Sequence, residues 1–407
     1  MRGASRKDSE RLMKDFAASM VSPRGLALTA IAITFLFLMT MGGVYYYVAA
    51  VVISGVFAFM DIFAGHDVSE PDGKGGAGPN AQAYRVPPAM LWFGLCYAWY
   101  LGHGDLFHLG ALMKHFGIDM FARRAQTTPA ELIVGCYCVG TIWAGFGTTI
   151  GHELTHRTWS KVDMLVGRWM LALTSDASFS IEHVYGHHLT LGTPKDPATA
   201  RRGETLYHFI IRSTFGQIAS AWHLETGRLK RQKLSIWSFR NRIFTGWAMT
   251  ACYAAVFYAA AGWVGLVAFF AASWFGKCYL EAINYIEHYG IVRVPGTPIE
   301  PRHSWNCTHR ISSWLLFNLP RHSHHHAMGD KPYWELRSYQ DAPQMPFGYL
   351  TMIYIALIPP LYRKLVHPRL QDWDRRHAVP AEYRLIEAAN KASGMADLAG
   401  ENLVAAA

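Results

Sequence analysis

Residues 25–60 contain no Asp, Glu, Lys or Arg and are interrupted only at Met41-Gly42-Gly43. This pattern predicts two membrane-crossing helices of about 18 to 20 residues joined by a tight hairpin. The pair is too long for a cleaved signal, whose apolar region runs to about 7 to 15 residues. Further apolar stretches predict spans near residues 88–106, 131–150, 243–263 and 266–286, six in all. The run 349–361 is too short to cross and predicts an interfacial or buried helix. Lys and Arg in short flanks set orientation: Arg2, Arg6, Lys7, Arg11, Lys14 and Arg24 precede the first span, and residues 157–242 are dense in both types. Both ends are then expected inside, which places 61–87, 151–242 and 287–407 on one cytoplasmic face; Lys114, Arg123 and Arg124 oppose this bias. The Gly-, Pro- and Asp-rich stretch 64–84 predicts a flexible loop. The expected division is a cytoplasmic N-terminal segment 1–24, one membrane-embedded domain with its cap at 25–378, and a polar helical tail 379–407 with a frayed end.

Composition supports a membrane. Only 16% of the 407 residues are charged, against roughly 25% in soluble proteins. The net charge of +9 lies beside the spans and without a nucleic-acid motif. It suits anionic lipid headgroups or an acidic protein partner and excludes nucleic acid. The six cysteines include no C-x-x-C pair, so neither a disulfide framework nor a thiolate iron centre is expected, and electrons must come from elsewhere.

Nine of the 20 histidines fall in four segments: "GHELTHR" with His152 and His156, "EHVYGHH" with His183, His187 and His188, "NYIEHYG" with His288, and "RHSHHHA" with His322, His325 and His326. Residues four apart share a helix face, so His152/His156 and His183/His187 are each expected to clamp one ion, with His188 reaching a second. All four segments lie on one membrane face in this topology. Imidazole nitrogen suits iron, copper, zinc or nickel, and nine ligands exceed one ion's needs. Two ions with four or five ligands each are therefore expected. The fold class is an all-α membrane protein, six transmembrane helices with a cytoplasmic histidine-rich di-metal cap. Glu153, Glu182, Asp196, Asn284 and Glu287 are candidates to orient the imidazoles through hydrogen bonds. His303 and His309 are expected to be polar loop residues, and His324 to face solvent or a carboxylate. "HELTH" also fits the H-E-x-x-H zinc peptidase pattern with Glu153 as base, which leaves seven clustered histidines unexplained.

The motifs "GHELTHR", "EHVYGHH…TPKDPATARRGE", "SIWSF", "NYIEHYG", "HSWN" and "LPRHSHHHA" resemble those of the integral-membrane alkane 1-monooxygenases (AlkB type), relatives of xylene monooxygenases and fatty-acid desaturases. The resemblance covers roughly residues 59–374. It implies a non-haem di-iron oxygenase of the bacterial inner membrane, with the nine histidines as ligands to two Fe ions and the site facing the cytoplasm. It also implies insertion of one oxygen atom of O₂ into the terminal methyl of medium-chain n-alkanes. The implied electron donor is a rubredoxin or a ferredoxin-type protein with an NADH-dependent reductase. Arg201, Arg202, Arg228, Lys230, Arg231 and Lys233 are the expected docking face. Thr155, Arg157 and His324 depart from the usual Gly, Lys and Asp of alkane hydroxylases and leave methyl hydroxylation of alkyl-substituted aromatics as the alternative. Tyr45, Tyr46, Tyr47, Phe57, Trp92, Phe93, Trp99 and Trp143 are candidates to line a substrate channel, though rings at helical spacing more often pack or sit in a membrane belt.

Overall fold

The first apolar run folds as expected. Ser22 caps the opening helix by accepting from Gly25 N at 3.0 Å, and Pro23 occupies its first turn. This helix, α1 (Pro23–Met41), ends at Gly42, where φ is +59° and a side chain would overlap the Tyr100 ring. Tyr100 Oη seals the turn by donating to the carbonyls of Thr40 and Met41. The chain then returns as α2 (Tyr45–Phe63). The computed structural model describes residues 16–71 and 76–399. The basic positions Arg2 to Lys14 and the alanine-rich end lie outside the described residues.

The described residues are helical, with only two isolated β-bridges. After α2 come α3 (Val86–Leu101), α4 (Pro129–His156), α5 (Lys161–Ala172), α6 (residues 179–190), α7 (Leu206–Arg231) and α8 (Arg242–His288). There follow α9 (His322–Ala327), α10 (Tyr349–Ala356), α11 (Pro359–Arg376) and α12 (Pro380–Ser393); these and the ends of α4 and α8 that carry histidines are called the cap below. Among the described residues four helices are long and apolar enough to cross a membrane: α1, α2, α4 and α8. The chain is thus a multi-pass membrane protein.

Two expected boundaries move. The span expected at 88–106 stops at Leu101, leaving α3 with 16 residues. Asp105 breaks it: its carboxylate accepts from Trp99 Nε1 at 2.8 Å and from Gly110 N at 2.7 Å, which ties the following turn back onto α3. Arg124, one of the charges that opposed the topology, donates to the carbonyls of Gly104 and His103 and stacks 4.0 Å over Trp99. The two spans expected at 243–263 and 266–286 are one 47-residue element broken at Ala261 and Gly262, the latter at φ +57°. The chain reverses there, because Phe257 and Phe269 bring their rings to 5.4 Å, whereas twelve residues of straight helix would hold them roughly 18 Å apart.

Asp61, near the end of α2, is a buried carboxylate that sequence patterning does not single out. It accepts from Ser312 N at 3.0 Å and Ser312 Oγ at 2.9 Å, and from Thr351 N at 3.3 Å, pinning α2 to the cap. A Cβ at Gly348 would overlap this carboxylate. Gly348→Ala is therefore expected to destabilise by about 1–3 kcal/mol through overpacking, measured as a lower unfolding temperature in detergent. α12 docks on the cap. Arg202 makes a bidentate pair with Asp374 at 2.6 and 2.7 Å and reaches Asn390 of α12, while His303 meets Glu382 at 3.1 Å.

Candidate metal centre

Four elements bring the nine histidines together at the cap. α4 runs unbroken to His156, so the i, i+4 pair His152/His156 shares a face, as expected. α9 does the same for His322/His326. α6 departs from expectation: residues 183–187 form a π-turn, and His188 N donates to His183 O. A π-turn aligns positions five apart, so His183 pairs with His188, and His187 is the residue turned to the other group. The expected His183/His187 clamp is corrected accordingly.

The candidate ligand atoms fall into two sets. His152, His156, His183, His188 and His325 each place one ring nitrogen within 4.8 Å of all the others. Four of these Nε2 atoms form a closed ring, His152 to His183 at 2.8 Å and His183 to His188, His188 to His325 and His325 to His152 each at 3.1 Å; His156 stands 3.2 Å from His152. The second set gathers His288 with His187 and His326, and His288 with His322 and Glu287. Its Nε2 separations are 2.9 Å for His288–His322 and for His322–His326, and 3.2 Å for His288–His326.

These separations fit metal ions. Ligands at right angles around an ion with bonds of about 2.1 Å lie roughly 3.0 Å apart. Hydrogen bonding alone does not account for them. Each neutral Nε2 carries one proton or one lone pair, so in the triangle of His288, His322 and His326 at least one pair must set like against like. A shared cation removes that conflict. His187 Nε2 points the same way, being buried without a hydrogen-bond partner. Metal binding is thus the property the nitrogen donors support.

Burial pushes His183, His188, His322, His325 and His326 well below the usual imidazole range, and neighbouring imidazoles push them further. They are therefore neutral, as ligands must be. His187 differs. Burial lowers it, but the Asp196 carboxylate, 2.9 Å from Nδ1, outweighs burial and holds it above the usual range.

The five flanking polar residues divide. Asp196 does as expected, and is itself fixed by Thr199 Oγ1 at 2.6 Å and Ala198 N at 3.0 Å. Glu287 sits closer in than an orienting group, with Oε2 3.3 Å from His322 Nε2. Glu153 faces away from the imidazoles, pairing with Arg157 at 2.8 Å and accepting from Tyr333 N at 3.1 Å. It is thereby withdrawn from the peptidase role of general base. Glu182 is buried beside Ser220; burial and then the Asp196 charge push it up to about 8. Asn284 Nδ2 lies 3.5 Å from Glu281. His324 is buried, not solvent-facing, and its Nδ1 accepts from Arg337 N at 3.0 Å.

A cavity of about 20 Å³ touches both sets, through His152 and His183 on one side and Glu287 and His322 on the other. Its apolar lining comes from Ala144, Phe179, Leu280, Ile283 and Leu319. The sequence pattern did not single these residues out; their signal was a position about one or two turns before a histidine, on α4 for Ala144, α6 for Phe179 and α8 for Leu280 and Ile283, while Leu319 lies just ahead of α9. Phe179 stacks on His183 at 4.5 Å. Among the described residues, no aromatic put forward from the sequence lines this cavity. Trp143 donates to Met90 O and packs on Phe257, while Phe93 lines a separate apolar hollow beside α1. Of the expected docking residues, Arg202 is committed to Asp374 and Arg228 to Glu225 at 2.6 Å; Arg201, Lys230, Arg231 and Lys233 are exposed.

Residues 128–356 match the fatty acid desaturase family, a stretch that includes all nine histidines. The chain belongs to the fatty acid desaturase family. Within it the chain is 33% identical over 328 residues to alkane 1-monooxygenase 2 of Alcanivorax borkumensis, covering 79% of this chain and 81% of the relative. Alkane 1-monooxygenase 1 of Pseudomonas aeruginosa is 37% identical over 240 residues, 58% of this chain and 63% of the relative, so here the chain spans slightly under two thirds of the relative's length. The xylene/toluene monooxygenase hydroxylase component of Pseudomonas putida is 36% identical over 283 residues, 69% of this chain and 75% of the relative. In this company the desaturase-family chain is an oxidoreductase.

Proposed function

We propose that the protein is a di-iron monooxygenase that hydroxylates the terminal methyl group of medium-chain n-alkanes to primary alcohols. The observation that carries this is the partition of nine imidazoles into a set of five and a set of four with Glu287 beside it. In this reading His152, His156, His183, His188 and His325 hold one iron, and His187, His288, His322 and His326 hold the other. An unactivated C–H bond offers no foothold to acid, base or nucleophile, and the irons, when bound, supply the O₂ chemistry that reaches it. The chain's own residues do the rest. Buried neutral imidazoles present lone pairs, Asp196 fixes the His187 tautomer, and Phe179 holds the His183 ring against rotation. Ala144, Leu280 and Ile283 exclude water and admit only the end of an apolar chain, whose burial contributes about 0.8 kcal/mol per CH₂.

The membrane arrangement is part of the proposal: one domain over residues 25–378, six crossings of a bacterial inner membrane with α3 and the two halves of α8 counted separately, and the cap in the cytoplasm. A rubredoxin or ferredoxin-type donor, reduced through an NADH-dependent reductase, would meet the exposed Arg201, Lys230, Arg231 and Lys233. Methyl hydroxylation of alkyl aromatics is a second reading, favoured by the span of the xylene/toluene relative and by Thr155 and Arg157. NADH-dependent turnover of n-octane and p-xylene by the protein with a rubredoxin and its reductase separates them. Formation of 1-octanol supports the alkane reading, and benzylic alcohol alone transfers the site to aromatics. Chelation is expected to lower the unfolding temperature reversibly, because ions that bind only the native set stabilise it; an unchanged temperature would contradict metal ligation.

A further inference from the structure

Lys277 lies within the apolar second half of α8 yet is buried between two carboxylates, with Nζ 2.6 Å from Asp176 Oδ2 and 2.6 Å from Glu281 Oε1. Ionisable groups at such positions are rare, and a salt bridge that only joined helices could be replaced by apolar packing. The next links run inward. Gln217 Nε2 donates to Glu281 Oε1 at 2.7 Å, and Glu281 Oε2 lies 3.5 Å from Asn284 Nδ2, which lines the histidine cavity. The outer end is open. Asp176, Ser178 and Lys277 border a second cavity, of about 790 Å³, whose walls include Phe215, Trp222, Trp247 and Trp274. Ala177, beside Asp176, packs on Gly246, one turn into α8. This depth and the tryptophans place the opening at a membrane–water boundary.

We propose that Asp176, Lys277 and Glu281 form a proton relay from the membrane boundary to the histidine cavity. The need for one rests on the hydroxylation reading: R–H, O₂, two electrons from the donor protein and two protons give R–OH and water, and the cavity between the two histidine sets is small and lined by buried side chains. Two carboxylates around one ammonium leave a unit negative charge that attracts a proton. Asp176 takes it from water in the outer cavity, Lys277 Nζ receives it while passing one of its own to Glu281, and Glu281 releases it to water in the histidine cavity beside Asn284, where the reaction consumes it. The triad then regains its starting charge. Its members are positioning residues that touch neither the substrate nor the ligating nitrogens.

The test uses the full-length protein loaded with iron and supplied with its donor. Lys277→Met and Glu281→Gln are expected to lower kcat by about 100-fold, the lower end of what positioned proton transfer contributes, with iron content and KM unchanged and NADH oxidation uncoupled from product. Asp176→Ala is expected to recover turnover on addition of formate, since Asp176 faces the open cavity; a structural pin would not be rescued by a small acid. If Lys277→Met does not fold, the near-isosteric Asp176→Asn and Glu281→Gln carry the test. The metal-free protein supplies a readout without turnover: as the triad takes up a proton on acidification, a protonated-carboxyl infrared band that shifts in D₂O grows in, and it is absent in Glu281→Gln. Folded variants with wild-type kcat would overturn the relay, as would lost kcat without formate rescue and with the band unchanged. Wild-type protein with full iron but no alcohol product would refute the hydroxylation reading, and the infrared band would still decide the relay.

Discussion

Replacing His325 by Ala is expected to reduce hydroxylation by roughly 1000-fold or more, the scale of several kcal/mol that a metal centre contributes, while replacing the adjacent His324 leaves it within about twofold of wild type by the absence of any metal contact. The two residues are sequence neighbours on α9 and both are buried. They differ in what their nitrogens meet. His325 Nε2 stands 3.1 Å from both His152 and His188, whereas His324 Nδ1 accepts a single backbone bond from Arg337. Loss of that bond is expected to lower stability by about 1 kcal/mol without touching the chemistry. Iron content and turnover of the two variants, compared in one preparation, check the contrast. Equal losses in both would show that α9 matters as scaffold and that the five-histidine set is wrongly drawn.

Asp196→Asn is the second large effect, expected to lower metal affinity of the four-histidine set by about 10- to 100-fold, the usual consequence of removing a carboxylate behind a ligand imidazole. The carboxylate accepts from His187 Nδ1 at 2.9 Å and so leaves the Nε2 lone pair aimed inward. Asn keeps the shape and loses the charge, and its amide donors compete for the same contact. Titration of the metal-free variant with iron(II) checks the prediction; an unchanged affinity would mean that His187 is held by packing alone.

Much of this was legible because imidazoles repeat at helical spacing. His152/His156 and His322/His326 pair as their i, i+4 separation requires. His183 and His187 do not, because hydrophobic and polar periodicity carries no signal for the one-residue excess of a π-turn. The apolar pattern located the spans but not their ends: Asp105 cut α3 short by taking the Trp99 indole, a contact between a loop and a helix that no local pattern encodes. Lys277 and Glu281 stood inside a stretch read simply as a span, and only the fold shows Asp176 meeting them. Arg202 looked like a docking residue by charge, whereas its partner Asp374 lies far along the chain. Pairing across such separations is set by tertiary packing, and local sequence pattern does not report it.

The central claim is two irons in two separate histidine sets, and the most direct measurement is elemental analysis of the purified, detergent-solubilised protein. About two irons per chain are expected, falling in His325→Ala while His324→Ala retains both. One zinc per chain, or a single iron insensitive to His325, would contradict it.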